Sequence, residues 1–478
     1  MSLKNQAIGG VKWSAVSTIT IAVVGLLKIS VLARFLDAED FGLMALVTFV
    51  LGFMNLFMDM GLTSAILHKQ KISNNEYASL YWINIIFSFI LFALISSLSP
   101  VISTFYEEPD LNELIPLMAI SIMLSALGRQ FKTIEQKHLN FKYIAITDII
   151  GAVLGLGVGV VTAVQGYGVY ALVYAALAQY AISNAIYFIK GLRDRGMLFH
   201  FKYQETKPFL RIGVYQVGGQ VVNYFNRDLD ILLIGKFFGA DVLGGYDLAK
   251  KLVRHPLKII NPIINKVGVS VFPKFQNNYK KLREYFQKLF DSVGALNAFI
   301  YGTIALCAHW FVLLLYGSEF LHIVFYIQLF ALVTYLRSMA GNIGILVITT
   351  GRTDYEFLWN VITLIVTPLA IFLGALYSPE MVIILLGTIQ LLMLVPGWYM
   401  FFHQLIDMKF WPFIKAHIFP MFIGVIVFLI GISILKTSSI YQFGFSLLLF
   451  FLLAIYSYHS IKEFKKIIKQ NFKKYARV

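Results

Sequence analysis

Two stretches of an otherwise apolar chain carry polar residues in a pattern that could do chemistry. Gln216, Gln220, Asn223, Arg227 and Asp230 recur at intervals of 4, 3, 4 and 3, the spacing of one continuous helix face. Asp247, Lys251, Arg254 and Lys258 follow at 4, 3 and 4, with His255 alongside. Pro256 and Pro262 predict a bend there that turns carbonyl groups toward a cavity. A third face, Ser14, Thr18, Ile21, Gly25 and Lys28, sits at the offset equivalent to the first stripe. Ammonium and guanidinium groups gathered this way suit an anion such as pyrophosphate, held by charge-assisted hydrogen bonds.

The elements that position these stripes follow from composition. Of 478 residues, 58% are hydrophobic and 14% charged, whereas soluble domains carry about 25% charged residues. So apolar a chain cannot be hidden in one globule, which makes this an integral membrane protein. A single cysteine, Cys307, excludes a disulfide scaffold, a cysteine-based zinc cluster and an iron–sulfur site. The polar start Met1 to Lys12, with no small-residue cleavage motif after it, predicts no cleavable signal peptide.

A spanning helix needs about 20 mostly apolar residues. Such runs fall at 13–36, 41–66, 78–105, 111–131, 143–164, 168–189, 208–235, 243–272, 289–314, 321–349, 357–376, 381–402, 416–435 and 441–461. The expected fold is therefore all-α, with about 14 transmembrane helices, and no segment alternates as a membrane strand does. With Met1 placed in the cytoplasm, connections on that side hold 27 Lys and Arg, and the opposite ones hold only Lys236 and Lys436. This asymmetry predicts both termini in the cytoplasm, and it assigns the net charge of +15 to membrane orientation rather than to nucleic acid.

A shift of 202 residues lays the segment from Ile29 to Leu46 on that from Ile231 to Leu248, with five identities including Phe35/Phe237, Ala38/Ala240 and Gly42/Gly244. Six spans separate the copies, so they run in the same direction, as in a parallel transporter repeat. The expected organisation is a six-helix lobe over 1–202, a second over 203–405, and two further helices with a basic tail over 406–478.

Eleven basic residues and seven acids fall within the spans. Each costs about 2.5–3.5 kcal/mol at a lipid-facing helix centre, so those away from span ends need a polar cavity or a partner. The functional reading is a wet, cationic chamber between the lobes. Lys28, Arg227, Lys251, Arg254, Lys258, Arg337, Gln216, Gln220 and Asn223 are its candidate substrate-binding residues. Asp59, Asp230 and Asp247 are candidates for ion coupling. The structural alternative is a set of interhelical pairs, such as Lys28 with Asp230, Arg227 with Asp247, or Arg337 with Asp59 or Asp148. No Walker A, HExxH or GxSxG sequence is present, and no cofactor or metal is expected. The run Gly151, Gly155, Gly157 and Gly159 lies inside a span, where small residues permit close helix packing rather than phosphate binding.

Several ordered lines resemble a known family. They are Asp59-Met-Gly61-Leu62, Arg129 through Asn140-Phe141-Lys142, Gly166-Tyr-Gly168, Asp230 through Lys236 with Gly244-Gly-Tyr246, and Phe272-Pro273-Lys-Phe-Gln276. In this order they resemble the polysaccharide transport branch of the multidrug/oligosaccharidyl-lipid/polysaccharide flippase superfamily. The resemblance implies a flippase, not an enzyme, in the bacterial inner membrane. Its implied cargo is an undecaprenyl-pyrophosphate-linked oligosaccharide for O-antigen, capsule or exopolysaccharide synthesis. It also implies two six-helix lobes, alternating access coupled to an ion gradient, contact with membrane lipids, and a polysaccharide polymerase and glycosyltransferases as candidate partners. Two alternatives stand beside it: a cation-coupled multidrug antiporter of the same superfamily, and a membrane polymerase or ligase acting on lipid-linked sugars.

Overall fold

The computed structural model describes residues 3–58, 61–69, 71–196, 199–340 and 343–415, with Phe451, Ile455 and Lys462 beyond. Asp59, the last two expected spans and the basic tail lie outside the described residues. Among those described, every regular element is helical. In chain order they are α1 (Leu3–Leu32), α2 (Ala38–Met58), α3 (Leu62–His68), α4 (Asn74–Tyr106), α5 (Leu111–Lys137), α6 (Phe141–Val164), α7 (Val169–Arg195) and α8 (Tyr203–Val271). Then come α9 (Tyr279–Leu306), α10 (Ala308–Leu315), α11 (Val324–Ala340), α12 (Ile343–Thr350), α13 (Thr353–Ala375) and α14 (Pro379–Leu392).

Ten helices among the described residues are long and apolar enough to cross a bilayer, from Lys12–Leu32 to Pro379–Ile406. They coincide with the first six and the ninth to twelfth expected spans. The seventh and eighth fall within α8, which breaks at Gly239 with φ +80° and ψ 178°. An L side chain is strained there, so glycine makes the turn between the two halves of α8. The second expected span divides too: Gly61 at φ +67° separates α2 from α3.

The chain forms two compact units, one of Met1–Asp247 with Leu315–Gly317, the other of Leu248–Leu314 with Ser318–Val478. Lipid gives helices no hydrophobic reason to associate, so close contact and internal polar pairs hold them together. In the first unit the glycine stripe does this. A Cβ added at Gly151, Gly155 or Gly159 meets Ser183, Ala175 or Gln179 of α7 at 1.9 to 2.8 Å, whereas one at Gly157 meets nothing. Leu43, Leu46 and Val47 of α2 are buried in the same unit, with Leu114, Ile115 and Ile122 of α5. Lys132 donates to both carboxylate oxygens of Asp148 at 3.0 and 2.8 Å, and Tyr187 donates to one of them at 3.0 Å, joining α5, α6 and α7.

The second unit is built on aromatic rings. Phe290 meets Phe402 edge to face at 4.9 Å, and Phe272 lies 4.4 Å from Phe286. A π-helical turn, Trp398–His403, carries Phe401 and Phe402 into that core. Asn297 donates to Ser338 at 2.7 Å, tying α9 to α11.

Candidate functional site

The polar stripe on the first half of α8 is fixed in rotation by its neighbour Tyr224. That ring is buried, with its hydroxyl donating to the Phe49 carbonyl of α2 at 2.5 Å and Phe53 and Phe225 around it. Successive helical residues point about 100° apart, which sets Gln220 and Arg227 about 40–60° from Tyr224 and Asn223 about 100° from it, on the flank of the anchored ring, and all three are exposed. More than half of the Arg227 side chain, 55%, is accessible; its Nε donates to Asp228 at 2.6 Å and its guanidinium lies 5.4 Å from the Tyr224 ring centre. The side chain of Gln216 lies outside the described residues.

Asp230 shows the opposite behaviour. It is 2% exposed, accepts from the Tyr246 hydroxyl at 2.8 Å and takes the Ile231 N–H at 3.1 Å. Asp247 is 3% exposed and adjoins Tyr316, whose phenol is pushed upward by burial first and by the nearby carboxylate second. On α1, Lys28 is half-buried, Thr18 is exposed, and a Cβ added at Gly25 meets nothing within 4 Å. That face has room beside it.

In the second unit Lys251, Arg254 and His255 are half-buried along α8, and Lys258 is exposed. Arg337 is exposed on α11. Asp148, one of the two partners considered for Arg337, is engaged by Lys132 and Tyr187 within the first unit. Tyr246, Tyr224 and Asp228 complete the α8 geometry but were not among the expected site residues. Tyr246 stood in the quoted Gly244-Gly-Tyr246 line, and that was the available signal. Among the described residues no group of three or more His, Cys, Asp or Glu is arranged to hold a metal ion.

A second feature closes one end of the first unit. Lys236 donates to Glu107 at 2.8 Å, and the Ala240 N–H donates to Glu108 at 3.1 Å. The Lys236 hydrogen bond holds the Glu107 carboxyl below its ordinary value. Burial raises that of Glu108, against the pull of the Ala240 amide. Immediately beyond, α2 crosses the second half of α8 at backbone distance. A Cβ added at Gly42 would lie 1.8 Å from the Ala240 carbonyl oxygen, and one at Gly244 would lie 1.7 Å from that of Ala38. The contact is reciprocal: each glycine lies over the alanine four residues before the other.

A family model described as "Polysaccharide biosynthesis protein" matches residues 31–325. The lipopolysaccharide biosynthesis protein WzxC of Escherichia coli K12 is 31% identical over 367 residues, 76% of this chain and 73% of that protein. The chain belongs to this polysaccharide biosynthesis family. The family agrees with the resemblance carried by the ordered motifs. The teichuronic acid biosynthesis protein TuaB of Bacillus subtilis 168 is 25% identical over 438 residues, 90% of each chain. Among solved structures, the lipid II flippase MurJ in an inward closed conformation superposes with a TM-score of 0.73 at 15% identity, over 97% of this chain and 99% of that one. The fold is thus shared with MurJ and is of the all-α class expected from the sequence.

Proposed function

We propose that the protein flips an undecaprenyl-pyrophosphate-linked oligosaccharide from the cytoplasmic to the outer leaflet of the bacterial inner membrane, for lipopolysaccharide or another surface polysaccharide. One observation carries the reading: a membrane helix that turns Gln220, Asn223 and Arg227 outward together. Polar groups facing lipid are costly, so such a face belongs beside water. The stripe is the candidate to hold the pyrophosphate beside water, Lys28, Lys251, Arg254, Lys258 and Arg337 are further candidates, and the polyprenyl tail stays in lipid. The relatives' names support this cargo class, since they are proteins of lipopolysaccharide and teichuronic acid biosynthesis.

Two lobes, 1–202 and 203–405, alternate access, with 406–478 adding two helices and a basic tail. The reciprocal crossing of Gly42 and Gly244 supports that pairing of repeats, because a two-fold relation brings equivalent positions together. The basic excess on alternate connections supports an orientation with both termini in the cytoplasm. Asp59, Asp230 and Asp247 are the candidates to couple transport to an ion gradient, and a polymerase and glycosyltransferases are the candidate partners.

The test is translocation of labelled lipid-linked oligosaccharide in proteoliposomes by wild type and by Arg254→Gln/Lys258→Gln. The double variant is expected to reach the membrane at wild-type abundance and to lose flipping at least about a hundredfold, from two charge-assisted contacts. Undiminished flipping removes these residues from the path. Transport of ethidium with no flipping favours the cation antiporter.

A further inference from the structure

Away from the α8 stripe, the first unit holds a basic cavity at the polar end of α4 and α5. It has a volume of about 550 Å³ and is lined by Lys71, Ser73, Glu76, Tyr77, Lys137 and His138, with Ile72 at its edge. That volume falls in the range of about 300–1,000 Å³ usual for small-ligand sites. None of the expected substrate-binding residues contributes to it.

Its charge is organised. Lys137 donates to the carbonyl oxygens of Ile66 at 2.9 Å and Lys69 at 2.6 Å, which finishes α3 and fixes an ammonium on the cavity wall. The one carboxylate in the lining, Glu76, is bonded to Lys69 and closes a capping box with Ser73 at the start of α4. Lys69, Lys71 and Lys137 against Glu76 leave a charge of +2, and the exposed His138 adds a ring N–H beside them. Beneath lies a small core of Leu62, Ile66, Leu80, Ile134 and Phe209 around Tyr77, so the floor is rigid before any ligand arrives.

Depth narrows the ligand. The expected fourth span ends at Phe131, and Lys137 lies six residues further along α5, about 9 Å at 1.5 Å per residue. The headgroup layer on each side of the hydrocarbon is about 5–7 Å thick, so the Lys137 backbone lies just past it, and its side chain, leaning toward the helix N-terminus, brings the cavity back to the level of the lipid phosphates. Basic pockets of this kind between spans take anionic headgroups.

We propose that this cavity binds the phosphate headgroup of an anionic phospholipid, in the cytoplasmic leaflet for the orientation proposed above. The phosphate sits between Lys71 and Lys137, with His138 and the Ser73 hydroxyl as further donors, and its acyl chains leave past Ile72. The lipid clamps α3, α4 and α5 and takes no part in holding the translocated cargo.

The test uses the full-length protein in phosphatidylcholine nanodiscs with and without phosphatidylglycerol, extracted into detergent and weighed by native mass spectrometry. Wild type is expected to retain one phosphatidylglycerol, and Lys71→Gln/His138→Gln to retain it about tenfold less well. Lys137 stays untouched because it also closes α3; Lys71→Gln alone, an exposed change, serves if the double variant folds poorly. Equal retention by the variants overturns the proposal. So does displacement of the lipid by inorganic phosphate, which assigns the cavity to a soluble anion. Arg254→Gln/Lys258→Gln is expected to keep the lipid whether or not it flips cargo, which separates this site from the transport reading.

Discussion

Replacing Gly42 by alanine places a methyl group 1.8 Å from the Ala240 carbonyl oxygen, where ordinary contact begins at 3.4 Å. The helices must separate by about 1.6 Å, or the side chain must distort, and overpacking of this kind costs about 1–3 kcal/mol. Gly244→Ala makes the same demand through Ala38, with 1.7 Å available. Because both clashes are relieved by one separation, the double substitution is expected to cost less than the sum of the singles. If alternating access makes and breaks this crossing, each single change moves the closed-to-open ratio at that end by about 5–150-fold. The native chain has one cysteine, Cys307, so a Cys307→Ser background takes spin labels at Glu39 and Asp241, both exposed beside the crossing. Wild type is expected to give a short, narrow distance, and either glycine variant a population displaced outward. Gly25→Ala, whose added Cβ meets nothing within 4 Å, is the control and leaves the distribution unchanged. Identical distances, thermal midpoints and flipping rates in Gly42→Ala and wild type would refute the reasoning, as would strict additivity of the two costs.

Further outcomes follow from the polar pairs. Lys132→Met leaves the Asp148 carboxylate, 20% exposed, with one partner fewer; it is expected to lower stability by about 1–2 kcal/mol after allowance for partial screening, read as a drop in thermal midpoint in detergent. Glu107 is held below its ordinary value by Lys236, so its contribution is present above about pH 4.3 and disappears as pH falls through the lowered value. Glu107→Gln is therefore expected to reduce the midpoint at neutral pH and to match wild type once both are acidic. Glu108 has the opposite sign: burial penalises its charge at neutral pH, so Glu108→Gln is expected to raise the midpoint there, and the gain to shrink on acidification.

Hydropathy located the ten spans found among the described residues because a bilayer allows no partial solution: a segment crosses with about 20 apolar residues or does not cross. Helix ends were less legible. The expected second span ran through Gly61, whose left-handed backbone, φ +67°, precedes a separate α3. The expected ninth span began at 289, yet α9 starts at Tyr279, because its first three turns are amphipathic and carry Lys280, Lys281 and Arg283 outside the apolar window. Partners across the fold were not legible at all. Lys132 and Asp148 are 16 residues apart, Lys236 and Glu107 are 129 apart, and which faces meet depends on packing that a single sequence does not encode locally. The 202-residue offset did carry spatial information, since Ala38 and Gly42 and their counterparts Ala240 and Gly244 are the residues that touch.

The stripes themselves were legible as spacing, but not which charges the fold withdraws. Within the two expected spans of α8 the three acids are sheltered: Asp230 and Asp247 are nearly inaccessible and the Asp228 side chain is 15% exposed, while Asp241, between those spans, is exposed. The bases divide, with Lys250 buried, Lys251 and Arg254 half-buried, and Arg227 and Lys258 exposed. A carboxylate turned inward costs desolvation unless hydrogen-bonded, and Asp230 receives that compensation from Tyr246 and a backbone amide. Sequestering the acids leaves an accessible surface more positive than the charge count along the helix. An organic-cation antiporter requires the reverse, with acids facing the path. The sorting of sign by burial therefore favours an anionic cargo on α8 more strongly than the sequence total does, and it does so independently of the relatives' names.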